Sequence, residues 1–312
     1  MTIPPTYVGC DISQDFIDIC DPIQTKPLRI ANEPCAIAQF AAALQDRQTI
    51  VVLEATGIYD RALRGGLAAE HVSFVRVNPT RARRFAQATG LLAKTDKIDA
   101  RMLSLMGQSM KLKPDPPEDP DVKALKDLQV RRDQLVQMCS DEKRHLHSAE
   151  ELIAPSILRH MAIIEQEIAE LDSQIEALIT SCEPLKQTYD LLCSAPGVGA
   201  VTANVLTAQM PELGRLSPKK IAALAGLAPM NHDSGAMRGQ RHIKGGRSRV
   251  RKALYMAAMA AHRSCGRLSR FYERIKARAK SIKIAIIATA RKLLTMLNAM
   301  IRNNSRYNAS CA

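Results

Sequence analysis

The chain has 312 residues, 46% of them hydrophobic, which is enough for two cores and a connector. Its formal net charge of +13 is unevenly spread: residues 191–312 carry twenty-two Lys and Arg against three acids, Glu212, Asp233 and Glu273, a local net charge of +19. With 4% aromatics, no Trp, eight scattered cysteines and no apolar run of about 18 residues, the composition argues against base stacking as the main binding mode, against a zinc centre and against a membrane span.

The first block, residues 1–115, reads as α/β. Tyr7–Ile12 and Phe16–Cys20 are short apolar runs that predict a hairpin of two strands. Pro34 to Leu44 predicts a helix. Thr49-Ile-Val-Val-Leu53 is apolar without alternation, the pattern of a strand buried on both faces, and Glu54 ends it. A turn at Thr56-Gly57 leads into a helix to about Ala69, and Val72–Val77 is a further strand. Asn78-Pro79 suits a helix start, and Asp96 to about Met110 is another helix. Lys113 to Pro120 is rich in Pro and acid and marks a linker.

The second block, residues 116–185, is predicted to be a coiled-coil helical hairpin. Ile157, Met161, Ile164, Ile168, Leu171, Ile175 and Leu178 step by alternating fours and threes, and Leu125, Leu128, Leu135, Met138 and Leu146 form a looser stripe before them. So regular a seam predicts self-association into a dimer or tetramer, against the plainer alternative of an internal two-helix packing.

The third block, residues 186–312, reads as all-helical, and its Ala, Leu, Ile and Met at helical spacing make it a folded basic domain rather than a tail. Pro196-Gly-Val-Gly199 between two helical stretches has the form of a helix–hairpin–helix turn, where Gly197 and Gly199 would let backbone N–H groups approach a phosphate. Residues 229–246 read as a loop before a helix starting near Ser248. A dense folded cationic surface gains affinity for nucleic acid by releasing phosphate counterions. The expected contacts are Arg238, Arg241, Lys244, Arg247, Arg249, Arg251 and Lys252. The N-terminus has neither a basic nor an apolar leader region, so a soluble, cytoplasmic, nucleoid-associated protein without a membrane partner is expected.

Four acids of the first block stand out once they are placed on elements. Asp11 falls at the end of the first strand and Glu54 at the end of a central one, while Asp96 and Asp99 share a helix face. A carboxylate ending a buried strand is costly unless paired or metal-bound. The four could surround two divalent ions, with oxygen ligands suited to Mg2+ and to phosphodiester chemistry.

The segments Tyr7-Val-Gly-Cys-Asp11, Leu53-Glu-Ala-Thr-Gly-Ile-Tyr59, Val77-Asn-Pro79 and Lys94-Thr-Asp-Lys-Ile-Asp-Ala100 closely resemble the DEDD transposases, the mobile-element recombinases of insertion-sequence family one hundred and ten. The third block resembles their second domain through Pro196-Gly-Val-Gly199, Ala225-Gly-Leu-Ala-Pro229, Asp233-Ser-Gly235 and Lys244-Gly-Gly-Arg-Ser-Arg-Val-Arg251. The resemblance implies a RuvC-like, ribonuclease-H-type first domain whose Asp11, Glu54, Asp96 and Asp99 bind magnesium. It also implies a nucleophilic serine at Ser234 that becomes covalently linked to DNA, and a structured noncoding guide RNA that pairs with donor and target DNA. Two alternatives stay open beside this recombinase: a RuvC-like structure-specific endonuclease that uses water, and a non-catalytic nucleic-acid-binding protein.

Overall fold

A computed structural model describes residues 4–24, 26–55, 57–91, 96–117, 119–231, 233–234, 237–239, 241–264, 266–279 and 281–308, by backbone alone at 96, 97, 233, 234, 237 and 238. The chain divides into two units, 1–117 and 118–312. The two long helices expected as a separate middle block belong to the second unit.

The first unit runs β1 (Thr6–Ile12), β2 (Phe16–Cys20), β3 (Leu28–Ala31), α1 (Pro34–Ala42), β4 (Thr49–Glu54), α2 (Arg61–Ala69), β5 (Ser73–Val77), α3 (Pro79–Ala88) and α4 (Asp96–Met110). Its sheet has the order β3-β2-β1-β4-β5. The β1–β2 and β2–β3 pairs are antiparallel, whereas β1–β4 and β4–β5 are parallel. This mixed five-stranded sheet followed by helices agrees with the α/β reading of the first block. Central β4 is buried from Thr49 to Leu53, as its unalternated β-branched run requires.

Alternation then sorts the sheet's side chains. Val8, Cys10, Ile12, Val51 and Leu53 pack with Leu63 and Leu67 of α2 and Ile37 of α1 on one face. Tyr7, Ile50, Val52, Val75 and Val77 pack with Met102, Leu103 and Met106 of α4 on the other. Ser104 of α4 donates its hydroxyl to the Tyr7 carbonyl at 2.7 Å, and the Tyr7 hydroxyl donates to the Leu112 carbonyl at 3.0 Å. Asn78 caps α3 by accepting from the Thr80 N–H, with Pro79 in the first turn.

The second unit runs α5 (Pro120–Ser148), α6 (Ala154–Ser181), α7 (Glu183–Cys193), α8 (Ala200–Gln209), α9 (Pro218–Leu224), β6 (Pro229–Met230), β7 (Asp233–Ser234), β8 (Met237–Arg238), β9 (His242–Ile243), α10 (Ser248–Ser264), α11 (Gly266–Lys276) and α12 (Ile282–Arg302). The all-helical expectation is corrected at 229–243: β6 pairs with β9 and β7 with β8, both antiparallel. Pro, Asn and Gly in this stretch disguise two ladders of only two residues each. The core of the unit joins α7–α12 through residues such as Leu206, Leu254, Leu268 and Leu293. By length and hydropathy α12 alone among the described helices could cross a membrane, but half of its apolar window is buried in this core.

The heptad seam of α6 has a partner inside the chain. Ile164 packs with Leu135 and Cys139 of α5, flanked by Ile168 and Leu171. Ile175 and Ile179 pack with Leu125 of α5, Leu185 of α7 and Ala208 of α8. The Arg132 guanidinium donates to both Asp172 carboxylate oxygens and fastens the two helices between these clusters. Within the chain the seam therefore takes part in the internal two-helix packing that stood as the alternative to self-association. Ile164 is 3% exposed. Ile164→Asp should bury an unpaired charge and destabilise the second unit by on the order of 3 kcal/mol, measured by denaturant unfolding.

Candidate active site and nucleic-acid interface

The carboxylates of the first unit are positioned by backbone register. The last parallel pair between β1 and β4 is Cys10 with Leu53, so the next residues, Asp11 and Glu54, end neighbouring strands at the same level. Asp11 follows Tyr7 and Gly9 by even steps, and Glu54 follows Ile50 and Val52 likewise. Both belong to the face covered by α4.

Gly9 sets how closely α4 lies on that face. A Cβ at Gly9 would stand 2.0 Å from the Ala100 carbonyl oxygen and 2.6 Å from the Ser104 nitrogen, both backbone atoms of α4. Only the absence of a side chain permits this approach, and Asp99 immediately precedes the residue in contact. The contact thus brings the strand bearing Asp11 against the helix bearing Asp99. Asp11, Glu54 and Asp99 are all half-buried. Asp96 opens the same helix, three residues before Asp99, and its side chain lies outside the described residues. Gly9→Ala should force α4 outward, costing about 2 kcal/mol of stability by overpacking and lowering activity without changing a carboxylate; a thermal melt and an activity assay check both.

Two neighbouring acids are committed to structure. Asp18, opposite Asp11 in the β1–β2 ladder, accepts from Arg29 Nε at 3.0 Å and Nη2 at 2.6 Å. Fully buried Asp60, at the start of α2, is held by Arg76 at 2.9 Å and Arg64 at 3.3 Å. Cys10 is buried beside Asp11, and burial first, then the neighbouring carboxylates, push its thiol far above the ordinary range. It stays a neutral thiol. Among the described residues no three potential ligands converge into a closed metal cage. Carboxylate oxygens such as those of Asp11, Glu54 and Asp99 are the donor type that suits a hard divalent cation.

In the second unit, Ser234 lies at the end of a nested hairpin. Pro229 and Met230 pair with Ile243 and His242 at its base, and Asp233 and Ser234 pair with Arg238 and Met237 nearer the turn. Ser234 and Met237 form the inner pair of this ladder. The side chains of Ser234 and Arg238 lie outside the described residues.

Two glycine turns anchor the hairpin's flanks. Gly226 and Gly246 have φ of 69° and 70°, and a Cβ on Gly246 would stand 2.2 Å from the Gly226 nitrogen. Arg251 donates to the Gly245 carbonyl at 2.6 Å across the same joint. The motifs Ala225–Pro229 and Lys244–Arg251 are thus parts of one packed structure.

The predicted phosphate contacts separate into two groups. Arg247 donates to the Gln209 carbonyl at 2.7 Å and to both Glu212 carboxylate oxygens at 2.6 and 2.7 Å. Burial raises the Glu212 carboxyl, but the Arg247 bonds outweigh it and hold the group below its ordinary value. Arg249 donates to Asp133 at 2.5 Å and to the Gln129 carbonyl at 3.2 Å, tying α10 to α5. These two guanidinium groups serve the fold. Arg241, Lys244 and Lys252 are exposed. Gly197 is also reassigned: its φ is 81°, and a Cβ there would stand 2.4 Å from the Ala261 nitrogen and 2.5 Å from the Ala257 carbonyl oxygen of α10. Its lack of a side chain lets this turn pack against α10. Gly199 is exposed at the start of α8 with open space beside it.

Comparison with known proteins matches residues 8–155 to a DEDD-type IS110 transposase domain and residues 189–273 to the transposase domain of the IS116/IS110/IS902 family. The chain is 29% identical to the pilin gene-inverting protein of Moraxella bovis, over 97% of this chain and 98% of that protein. The corresponding protein of Moraxella lacunata matches at the same identity and coverage. An uncharacterized 43.6 kDa protein of insertion element IS110 from Streptomyces coelicolor is 30% identical over 51% of this chain and 39% of its own length.

Proposed function

We propose that the chain is a DNA-recombining enzyme of the IS116/IS110/IS902 transposase family, a reading supported by the two matched domains and the pilin gene-inverting relatives, and that its chemistry is divided between the two units. Asp11, Glu54, Asp96 and Asp99 hold magnesium at the end of the β1–β4 pair. The bound cation supplies positive charge to a phosphodiester under attack. The observation that carries this reading is the levelling of Asp11 with Glu54 at adjacent strand ends, under the helix that Gly9 admits.

Ser234 is the nucleophile. Its hydroxyl oxygen bonds to phosphorus, its proton leaves to a base, and the bridging sugar oxygen departs and takes up a proton. The phosphoester energy is kept in a serine–DNA bond, and reversal by a second strand's sugar hydroxyl rejoins DNA without an external energy source. Support comes from the position of Ser234 at the closing pair of a hairpin whose base is fixed by the glycine joint. Exposed Arg241, Lys244 and Lys252 of the same unit would neutralise phosphate charge.

A structured noncoding RNA chooses the donor and target sites by base pairing. A protein with a +19 C-terminal third and only 4% aromatics is suited to holding backbones rather than reading bases. The covalent bond is what tests the reading. Purified protein, guide RNA, magnesium and labelled donor and target DNA should yield label that migrates with denatured protein. Cleavage that leaves no protein-bound label would instead establish a water-using nuclease.

A further inference from the structure

A cleft of about 530 Å³ opens in the second unit between the base of the Ser234 hairpin and the α11–α12 pair. Its interior is apolar, formed by Leu227, Ile243, Ile284 and Ile287 with the ring of Phe271. Its rim is cationic, with Arg241, Lys283, Arg291 and Lys292. A second depression of about 350 Å³ shares Phe271 and Lys292 and adds Arg267, Arg270 and Arg274, so the two adjoin across those side chains. The Arg274 guanidinium lies 5.3 Å from the Phe271 ring centroid. Among the described residues lining either depression there is no acid.

This combination selects its occupant. An uninterrupted cationic rim calls for a polyanion, and an apolar interior beside an aromatic ring calls for a flat, weakly polar group. A duplex presents phosphates but keeps its base faces stacked inside. A single strand offers both at once: a base that can leave the stack, and phosphates on either side of it. The volume suits one small ring system rather than a helix or a second domain. Pro229, His242 and Ile243, on the stem of the hairpin that ends at Ser234, form one wall. A strand delivered to Ser234 would pass over this opening.

We propose that the cleft takes an unpaired base of single-stranded DNA next to the phosphate offered to Ser234. Phe271 stacks on the base, while Arg241, Lys283, Arg291 and Lys292 hold the flanking phosphates. The choice of DNA rests on the reading of Ser234 as the nucleophile; the binding chemistry does not. A base held out of the stack resists reannealing during strand exchange.

The experiment is equilibrium binding of the full-length protein, without magnesium, to a single-stranded DNA containing 2-aminopurine. A duplex and an RNA of the same sequence serve as comparison ligands. Phe271→Ala should weaken single-stranded DNA binding on the order of tenfold and abolish the fluorescence change, with duplex affinity unaltered. Ile284 is 51% exposed, so Ile284→Asp leaves the core intact and should give the same selective loss. Equal losses on single strand and duplex, no loss in either variant, or a loss confined to RNA would each overturn the proposal. Ser234→Ala should bind the single strand as the parent does. Selective binding without any covalent adduct would retain the cleft and remove the serine chemistry, so the two readings fail separately.

Discussion

Ser234→Ala folds, binds nucleic acid like the parent, and forms neither covalent adduct nor recombinant product. The loss should exceed on the order of 10⁴-fold, since no neighbouring group can take the place of the missing oxygen in storing the phosphoester. The β7–β8 pair is a backbone ladder, which alanine can also form. A thermal melt matching the parent, together with absence of protein-bound label after denaturation, is the expected pair of results. Cleavage and recombination at the parent's rate would remove the serine from the mechanism and favour hydrolysis by water at the carboxylates.

Asp11→Ala and Glu54→Ala, made separately, should each lower recombination by on the order of 10³-fold or more, by removing charge at the point where the metal is held. Nucleic-acid binding should persist, because the basic second unit carries it. Stability without magnesium should hold or rise slightly. The two acids end adjacent parallel strands at one level, and like charges so placed repel. Recombination rates and melts with and without magnesium test all three statements. A variant with parental recombination would show that its carboxylate is not part of the metal site.

What the sequence made legible follows the strength of local physical signals. The β4 run of five buried residues, the Asn78-Pro79 helix start and the β1–β2 hairpin each carry an unambiguous pattern, and each occurs where expected. The strand β3 was not legible: it is an edge strand of four residues with Leu28 and Arg29 exposed, and its pairing with β2 supplies what its own composition lacks. The four acids could be placed on elements, but not together, since that depends on the parallel β1–β4 register and on α4 crossing Gly9. Arg247 and Arg249 read as phosphate ligands because their partners are remote. Glu212 lies 35 residues before Arg247, and Asp133 lies 116 before Arg249. Gly197 misled for the same reason, as the helix it admits begins fifty residues later.

The α5–α6 hairpin adds a matter of scale. At 1.5 Å per residue, the 28 residues of α6 extend about 42 Å, longer than the roughly 34 Å repeat of B-form DNA. Its root is interlocked with α7 and α8 at Ile175 and Ile179, while Ile164 in its far half packs with Leu135 and Cys139 of α5. Length and anchorage are therefore independent variables. Taking one heptad from each arm would draw the tip in by about 10 Å while keeping the seam in phase and leaving the root untouched. Insertions or deletions of whole heptads at the tip would thus change the hairpin's length and leave the packing at its root in place.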